Sequence, residues 1–116
     1  MDFENDRSLL WSDFMKVEIR VGTIVNAEFF TETKKLAYKM TIDFGEFGLR
    51  KTSAQITKLY TFEELVGKQV VAVINFPPKQ IANMMSECLV LGVVGDNEEV
   101  ALLIPDKNVI NGTRIG

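Results

Sequence analysis

Alternating apolar and polar residues divide this chain into short β-strands. Apolar side chains take every second position over residues 17–25 and again over 38–44, which predicts two strands that each bury one face. A two-glycine turn then leads into a third strand over 49–54, so strands two and three form a hairpin. The apolar run 70–74 predicts strand four, which ends at Asn75, and the apolar run 88–94 predicts strand five.

Two short helical segments are predicted from their capping residues. Ser12 is placed to cap a helical turn over residues 13–16. Thr61 and Glu64 fit a capping box, in which the hydroxyl and the carboxylate each accept from a free backbone N–H of the first turn. Gly67 is placed to end this second helix, which lies between strands three and four.

The order of three strands, a short helix and two strands is that of the OB-fold, a five-stranded barrel. Gly22, inside the first strand, predicts a bulge or a sharp bend of the barrel. A short strand over 100–104 and a turn at 111–112 follow as a C-terminal extension. We therefore expect an all-β protein with one OB-fold domain over residues 1–116 and short extensions at both ends.

The residue types present exclude several kinds of chemistry. A hydrophobic content of 47% over 116 residues is enough to fill one compact core. The absence of histidine removes histidine-based acid–base catalysis, triads with a histidine member and most zinc sites. Cys88, the one cysteine, lies in an apolar strand and is expected to be a buried structural residue. With no paired-carboxylate, phosphate-loop or dinucleotide motif, we expect a binding protein, not an enzyme, without metal or cofactor.

The sequence also gives an expectation for location. No apolar run approaches the about 20 residues that a membrane helix needs. The first six residues are acidic and polar, whereas a signal peptide begins with basic residues before an apolar stretch. We therefore expect a cytoplasmic protein without membrane insertion.

Charge is unevenly distributed along the chain. The net charge of −3 argues weakly against general polyanion binding. The middle of the chain is nevertheless basic, because six cations outweigh two carboxylates over residues 34–58. In an OB-fold, strands two and three form the base of the nucleic-acid groove. We therefore expect strand three to be the part of that base that faces the phosphates. A polar loop with two consecutive prolines joins strands four and five, and we expect it to form the wall of a binding site.

Five segments, taken together in order and spacing, resemble the tRNA-binding domain family and, within it, the CsaA-like secretion chaperones. They are EIRVG at 18–22, KTSAQIT at 51–57, YTFEELVGK at 60–68, NFPPKQI at 75–81 and MSE at 85–87. The resemblance covers roughly residues 14–115. It implies an OB-fold that binds tRNA, and for the CsaA-like branch a homodimer linked to keeping exported precursor proteins unfolded and to the secretion motor ATPase.

The sequence departs from the family pattern at two places. Ala82-Asn83-Met84 stands where CsaA-like chains usually have Gly-Pro-Phe, and alanine is expected to remove the option of a positive φ there. Ile110 stands where the family often has proline, which bears on the path of the C-terminal tail.

Candidate nucleic-acid contacts combine the basic zone with polar residues of strand three and the proline loop. Arg20 points away from the core and could contact a phosphate, or it could form an ion pair with Glu18 or Glu87. Lysines on a barrel surface are often simply solvated, and Asn75 could bond its local backbone. We favour mixed roles, with some loop residues shaping the site and others reaching the ligand. The candidates are Arg20, Lys34, Lys35, Arg50, Lys51, Ser53, Gln55, Lys58, Asn75, Lys79, Gln80, Ser86 and Glu87; of these Asn75, Ser86 and Glu87 are expected to shape the site, and Lys79 and Gln80 to reach the ligand.

A second set of apolar residues could line a dimer interface or a peptide groove, the alternative being burial in the core. Methionine suits varied partners because its side chain is flexible. Residues 1–13 flank the barrel motif and are most simply explained by packing across a dimer. The candidates are Phe3, Leu10, Trp11, Phe14, Met84 and Met85.

Two classes of function follow from these features and the resemblance. The leading hypothesis is a homodimeric CsaA-like protein that binds tRNA or structured RNA on a basic groove and acts as a chaperone for unfolded precursors. The alternatives are an export chaperone that only binds peptides, with vestigial RNA binding, and a general tRNA-binding cofactor protein without a chaperone role.

Overall fold

The computed structural model describes residues 7–116, so the prediction for Phe3 lies outside the described residues. Besides 3-10 helices at Gly45–Phe47 and Asp96–Glu98, the regular structure of this part consists of two short α-helices and nine strands. They are α1 (Trp11–Met15), β1 (Ile19–Phe29), β2 (Tyr38–Asp43), β3 (Leu49–Ala54), α2 (Phe62–Leu65), β4 (Gln69–Val73), β5 (Lys79–Ile81), β6 (Met84–Ser86), β7 (Leu89–Val90), β8 (Gly92–Val94) and β9 (Val100–Leu102).

The main sheet has five antiparallel strands in the order β3-β2-β1-β4-β7. The long strand β1 pairs with β4 through its first half and with β2 through its second half. The sheet then curls so that its two ends meet. The backbone N–H of Glu87 donates to the Lys51 carbonyl at 2.7 Å, and the Thr52 hydroxyl donates to the Cys88 carbonyl at 2.9 Å. The prediction of a five-stranded OB-fold barrel is therefore confirmed.

The bend of β1 lies two to four residues after the predicted position. The pairing register with β2 shifts between Ile24 and Asn26, which places the irregularity there and not at Gly22. Gly22 has a different role. A Cβ atom at this position would lie 2.7 Å from side-chain atoms of Ile42 and Phe44, so only glycine lets β1 approach β2 this closely.

Inward-facing side chains of the barrel strands and of α2 form one core. Ile24, Ile42, Phe44, Leu65 and Val70 are fully buried. The capping box of α2 is present as predicted, since Thr61 accepts from the Glu64 N–H at 3.3 Å and Glu64 accepts from the Thr61 N–H at 2.8 Å.

The prediction for the first helix was wrong at its start. Helix α1 begins at Trp11, and the residue before it, Leu10, makes no side-chain capping bond. Ser12 is thus the second helical residue and not the cap.

The predicted fifth strand over 88–94 is two strands. Strand β7 pairs with β4, and β8 pairs with β9 in a separate two-stranded sheet. Leu91 is the point of exchange, because its N–H donates to the Val71 carbonyl at 2.9 Å while its own carbonyl accepts from the Leu103 N–H at 3.1 Å. The apolar run is continuous in sequence but changes partner in the middle.

The C-terminal tail runs antiparallel along the first half of β1. Gly112 N–H donates to the Val21 carbonyl at 2.7 Å, and Ile115 N–H donates to the Ile19 carbonyl at 2.8 Å. Side chains strengthen this contact, since Glu18 accepts from Arg114 at 2.7 Å. Within residues 7–116, no helix is long and apolar enough to cross a membrane.

Candidate nucleic-acid interface

Residues 79–86 form a β-hairpin where the sequence predicted an irregular loop. Strands β5 and β6 pair from Lys79 opposite Ser86 to Ile81 opposite Met84, which leaves a two-residue turn. Ala82 in this turn has a φ of 50°, contrary to the expectation that alanine would remove that conformation. The Gln80 amide is exposed and donates to the Ala82 carbonyl at 3.2 Å, so it braces the turn. The wall of the site is therefore a regular element.

The residues at the base of this hairpin bond the backbone of the barrel. Asn75 uses both ends of its amide on segments far away in sequence: Oδ1 accepts from the Glu18 N–H at 2.9 Å, and Nδ2 donates to the Lys16 carbonyl at 2.7 Å. The Glu87 carboxylate accepts from the Lys51 N–H at 3.0 Å. These contacts hold the hairpin in a fixed position relative to β1 and β3.

Ser86 lies where the hairpin meets β3. Its Oγ is 3.3 Å from the Thr52 hydroxyl, and it also lines a cleft beside Lys79. Thr52 is almost completely buried, with 1% of its surface exposed. The Ser86 hydroxyl thus contacts the buried Thr52 hydroxyl, and Ser86 also lines the surface cleft.

Four exposed lysines surround a groove between the hairpin, the end of β3 and the segment after β1. The groove consists of three adjoining recesses of about 290, 380 and 450 Å³, which share Gln55. Within residues 7–116, none of these lysines is paired with a carboxylate, although Glu32 and Glu98 also line the groove. We call this surface the lysine groove. Besides Glu32, Glu98, Thr33 and Thr57, its polar lining residues are Lys34, Lys35, Lys58, Lys79, Ser53, Gln55 and Ser86.

The two arginines among the candidates lie elsewhere and bond other parts of the fold. Arg20 donates to Glu18 at 2.7 Å and to the Gly112 carbonyl at 3.1 Å, and its guanidinium stacks 4.5 Å from the centre of the Phe47 ring. Arg50 donates to the Ile74 carbonyl at 2.7 Å. For Arg20, the structure shows the ion pair that the sequence offered as the alternative to a phosphate contact.

Lys51 lines a separate recess of about 270 Å³ on the outer face of β1, β2 and β3. Asn26, Lys39 and Thr41 face the same recess and were not among the candidates from the sequence. The alternation in β2 contained the signal, since Lys39 and Thr41 hold its outward positions. Lys39 is paired with Glu28 at 3.3 Å. This recess is therefore less cationic than the lysine groove.

An apolar surface lies at the N-terminal helix. Leu10 and Trp11 are exposed, Trp11 to 79% of its surface, and Phe14 is half-buried with its ring edge-on to Trp11. Together with Leu9 they line a recess of about 540 Å³. We call these residues, 9–11 and 14, the helix patch. Met84 and Met85 lie apart from it on the hairpin, where Met85 is exposed.

The surroundings of Cys88 do not activate its thiol as a nucleophile. Burial raises the pKa of the Cys88 thiol to about 11, so the thiol stays protonated at neutral pH. Hydrogen bonds from Arg20 and then Arg114 lower the pKa of the Glu18 carboxyl, which stabilises its charged form. Over the part of the chain that the structure describes, no group of three or more acidic, cysteine or histidine residues could hold a metal ion.

The chain that forms this barrel matches a known family. The family model described as putative tRNA binding domain matches residues 19–114. The chaperone CsaA of Bacillus anthracis str. Ames is 47% identical, with a TM-score of 0.90 over 94% of this chain and 99% of that one. The CsaA chaperone protein of Picrophilus torridus is 46% identical, with a TM-score of 0.87 over 94% of this chain and 100% of that one. The chain belongs to the tRNA-binding domain family, as a CsaA-like member.

Curated relatives carry the same domain inside a much larger protein. The methionine–tRNA ligase of Methanococcus aeolicus is 42% identical over 103 residues, which are 89% of this chain and 15% of that protein. The methionine–tRNA ligase of Methanococcoides burtonii is 36% identical over 107 residues, or 92% of this chain and 16% of that protein. The chain therefore spans about one sixth of the length of these ligases. The family that it shares with them is one of binding domains, not of catalysts.

Proposed function

We propose that this chain binds tRNA or another structured RNA along the lysine groove. The observation that carries the proposal is the set of four exposed lysines without carboxylate partners that surround Ser53 and Gln55. Free ammonium groups can neutralise phosphates, and the hydroxyl and amide beside them can bond sugar or base edges. Membership of the tRNA-binding domain family supports the same ligand class.

The salt dependence of binding follows from the number of lysines. If all four contact phosphates, the logarithm of the association constant falls with the logarithm of salt with a slope of about −3. Affinity for bulk tRNA should then drop on the order of 50-fold between about 50 mM and about 200 mM salt. Arg20 and Arg50 are already bonded within the fold and add little to this slope.

A charge-neutralising pair tests the groove directly. Lys58→Gln/Lys79→Gln removes two phosphate contacts, so the salt slope should become shallower by about 1.5 and tRNA binding should weaken. Lys16→Gln/Lys107→Gln is the matched control, because it removes the same charge from lysines that do not line the groove. Equal loss in both variants would mean that only net charge matters and that this groove is not the RNA site.

We also propose that the chain acts as a homodimeric chaperone for unfolded precursor proteins. Its similarity to two proteins named CsaA chaperones supports the chaperone part of this proposal. The helix patch supports this second function, because exposed apolar side chains that line one recess fit a dimer contact or a peptide site. In this proposal the chain acts in the cytoplasm and passes such clients to the secretion motor ATPase.

The dimer and chaperone proposals are tested separately. Light scattering after gel filtration should give twice the chain mass of 13.1 kDa, and Leu10→Asp/Trp11→Asp should give the monomer mass. Suppression of aggregation of an unfolded precursor should change little with salt, because apolar contacts are not screened. A monomeric wild type would contradict the dimer. Aggregation at the same rate with and without the protein would contradict the chaperone role.

A further inference from the structure

One end of the lysine groove is apolar and aromatic. Its recess of about 450 Å³ has five apolar lining residues, which are Phe76, Pro77, Ile81, Cys88 and Leu89. Phe76 is 57% exposed, and within the described part of the chain its ring makes no aromatic or cation–π contact. We call this recess the Phe76 cleft.

The fold holds Phe76 in place although its ring is not packed in the core. Asn75, immediately before it, is bonded to backbone groups at residues 16 and 18. Pro77 and Pro78, immediately after it, each fix their own φ. An exposed ring on such a rigid segment loses little conformational freedom when a ligand stacks on it.

The other lining residues of the Phe76 cleft are polar or cationic. They are Ser53, Gln55, Ser86 and Lys79, of which Lys79 is exposed. Neither the Ser53 hydroxyl nor the Gln55 amide has a hydrogen-bond partner among residues 7–116. The amide offers a donor and an acceptor together, which is the pattern that the edge of a nucleobase requires.

Resting on the proposed RNA-binding function, we propose that the Phe76 cleft takes one unpaired nucleobase of the bound RNA. The base stacks on the Phe76 ring, its edge bonds Gln55 and Ser53, and Lys79 pairs with an adjacent phosphate. The volume lies within the range of about 300–1,000 Å³ that small-molecule sites occupy, which admits a nucleotide and not a double helix. The groove holds four lysines against Glu32 and Glu98, and this excess of cations favours a polyanion over an unfolded peptide as the occupant.

The test uses a short single-stranded RNA that carries 2-aminopurine, whose fluorescence is quenched on stacking, and a duplex of the same sequence. Wild type should bind the single strand more tightly than the duplex and quench the probe. Phe76→Leu keeps an apolar side chain without a ring, so quenching should be lost and single-strand binding should weaken about 5- to 150-fold. The salt slope should stay unchanged. Phe76→Tyr keeps the ring and is the matched control, with quenching retained.

The outcomes separate this inference from the function on which it rests. Unchanged quenching in Phe76→Leu, together with a shallower salt slope in Lys58→Gln/Lys79→Gln, would overturn the cleft and leave the groove standing. Failure of wild type to bind either RNA or tRNA would overturn both. Loss of precursor binding in Phe76→Leu with RNA binding intact would overturn the inference in favour of a peptide site.

Discussion

Replacement of Asn75 by alanine decides whether this residue shapes the site or contacts the ligand. The substitution removes two hydrogen bonds, from the Glu18 N–H at 2.9 Å and to the Lys16 carbonyl at 2.7 Å. Each such bond contributes about 0.5–1.5 kcal/mol. Two such bonds could contribute about 1–3 kcal/mol, and because Asn75 is exposed and water can replace the lost partners, the total should lie near the lower end, at about 1–1.5 kcal/mol.

Urea unfolding followed by tryptophan fluorescence or circular dichroism measures this loss. With an m-value of about 1.5 kcal/mol per molar, the midpoint should fall by about 0.7–1 M, and the melting temperature by about 4–6 °C. Gln80→Ala is the control, because the amide of Gln80 makes one exposed bond within the hairpin. Its effect should stay within about 0.5 kcal/mol. Wild-type stability of Asn75→Ala combined with weakened tRNA binding would refute the structural role and make Asn75 a ligand contact.

Three further substitutions and measurements test other parts of the fold. Gly22→Ala places a Cβ atom 2.7 Å from the Phe44 ring and should cost about 1–3 kcal/mol in urea unfolding; an unchanged midpoint would contradict the close approach. The lowered pKa of Glu18 gives stability that is fully present above pH 4.5 and is lost as the pH falls through the lowered pKa. The stability of Glu18→Gln should therefore depend less on pH in that window than the stability of wild type does. The same pH dependence in both proteins would argue against the ion pairs. Cys88, buried with a pKa of about 11, should react with a thiol reagent at pH 8 far more slowly in the native protein than in urea. Equal rates would show that the thiol is accessible to the reagent in the native protein.

The barrel could be predicted from the sequence where one face of a strand is buried. Strand β2 matches its predicted position because the period of two records which side chains enter the core, and β3 matches because the two-glycine turn fixes where the hairpin returns. The capping box of α2 was equally readable, since its two side chains bond within one turn. Local patterns with a local cause were predicted well.

Features that depend on distant partners could not be predicted in the same way. The run 88–94 gives no sign of the change of partner at Leu91, because periodicity reports burial and not which strand lies alongside. The hairpin β5–β6 was hidden by two prolines and by polar residues that do not alternate. The pairing of the tail with β1 involves residues about 90 positions apart, and no local pattern encodes it.

The residues of the candidate site also differ in whether the sequence alone could predict their roles. The concentration of lysines was visible as a charge map, and four lysines surround one groove in the structure. Arg20 and Arg50 carry the same charge but donate to carbonyls that lie 92 and 24 residues away. A cation's role depends on whether the fold leaves an acceptor within its reach, and that is a property of tertiary structure.

The C-terminal tail has a consequence for how the protein is made. The edge of β1 that residues 112–115 cover is synthesised about 90 residues before its cover. At about 5–20 residues per second on the ribosome, that edge waits for about 5–20 s without a partner. Open strand edges are templates for pairing with other chains. Translation of the codons for residues 112–115 therefore decides when this edge of a nascent chain stops being vulnerable to self-association, and a ribosome that stalls before residue 112 would leave that edge open.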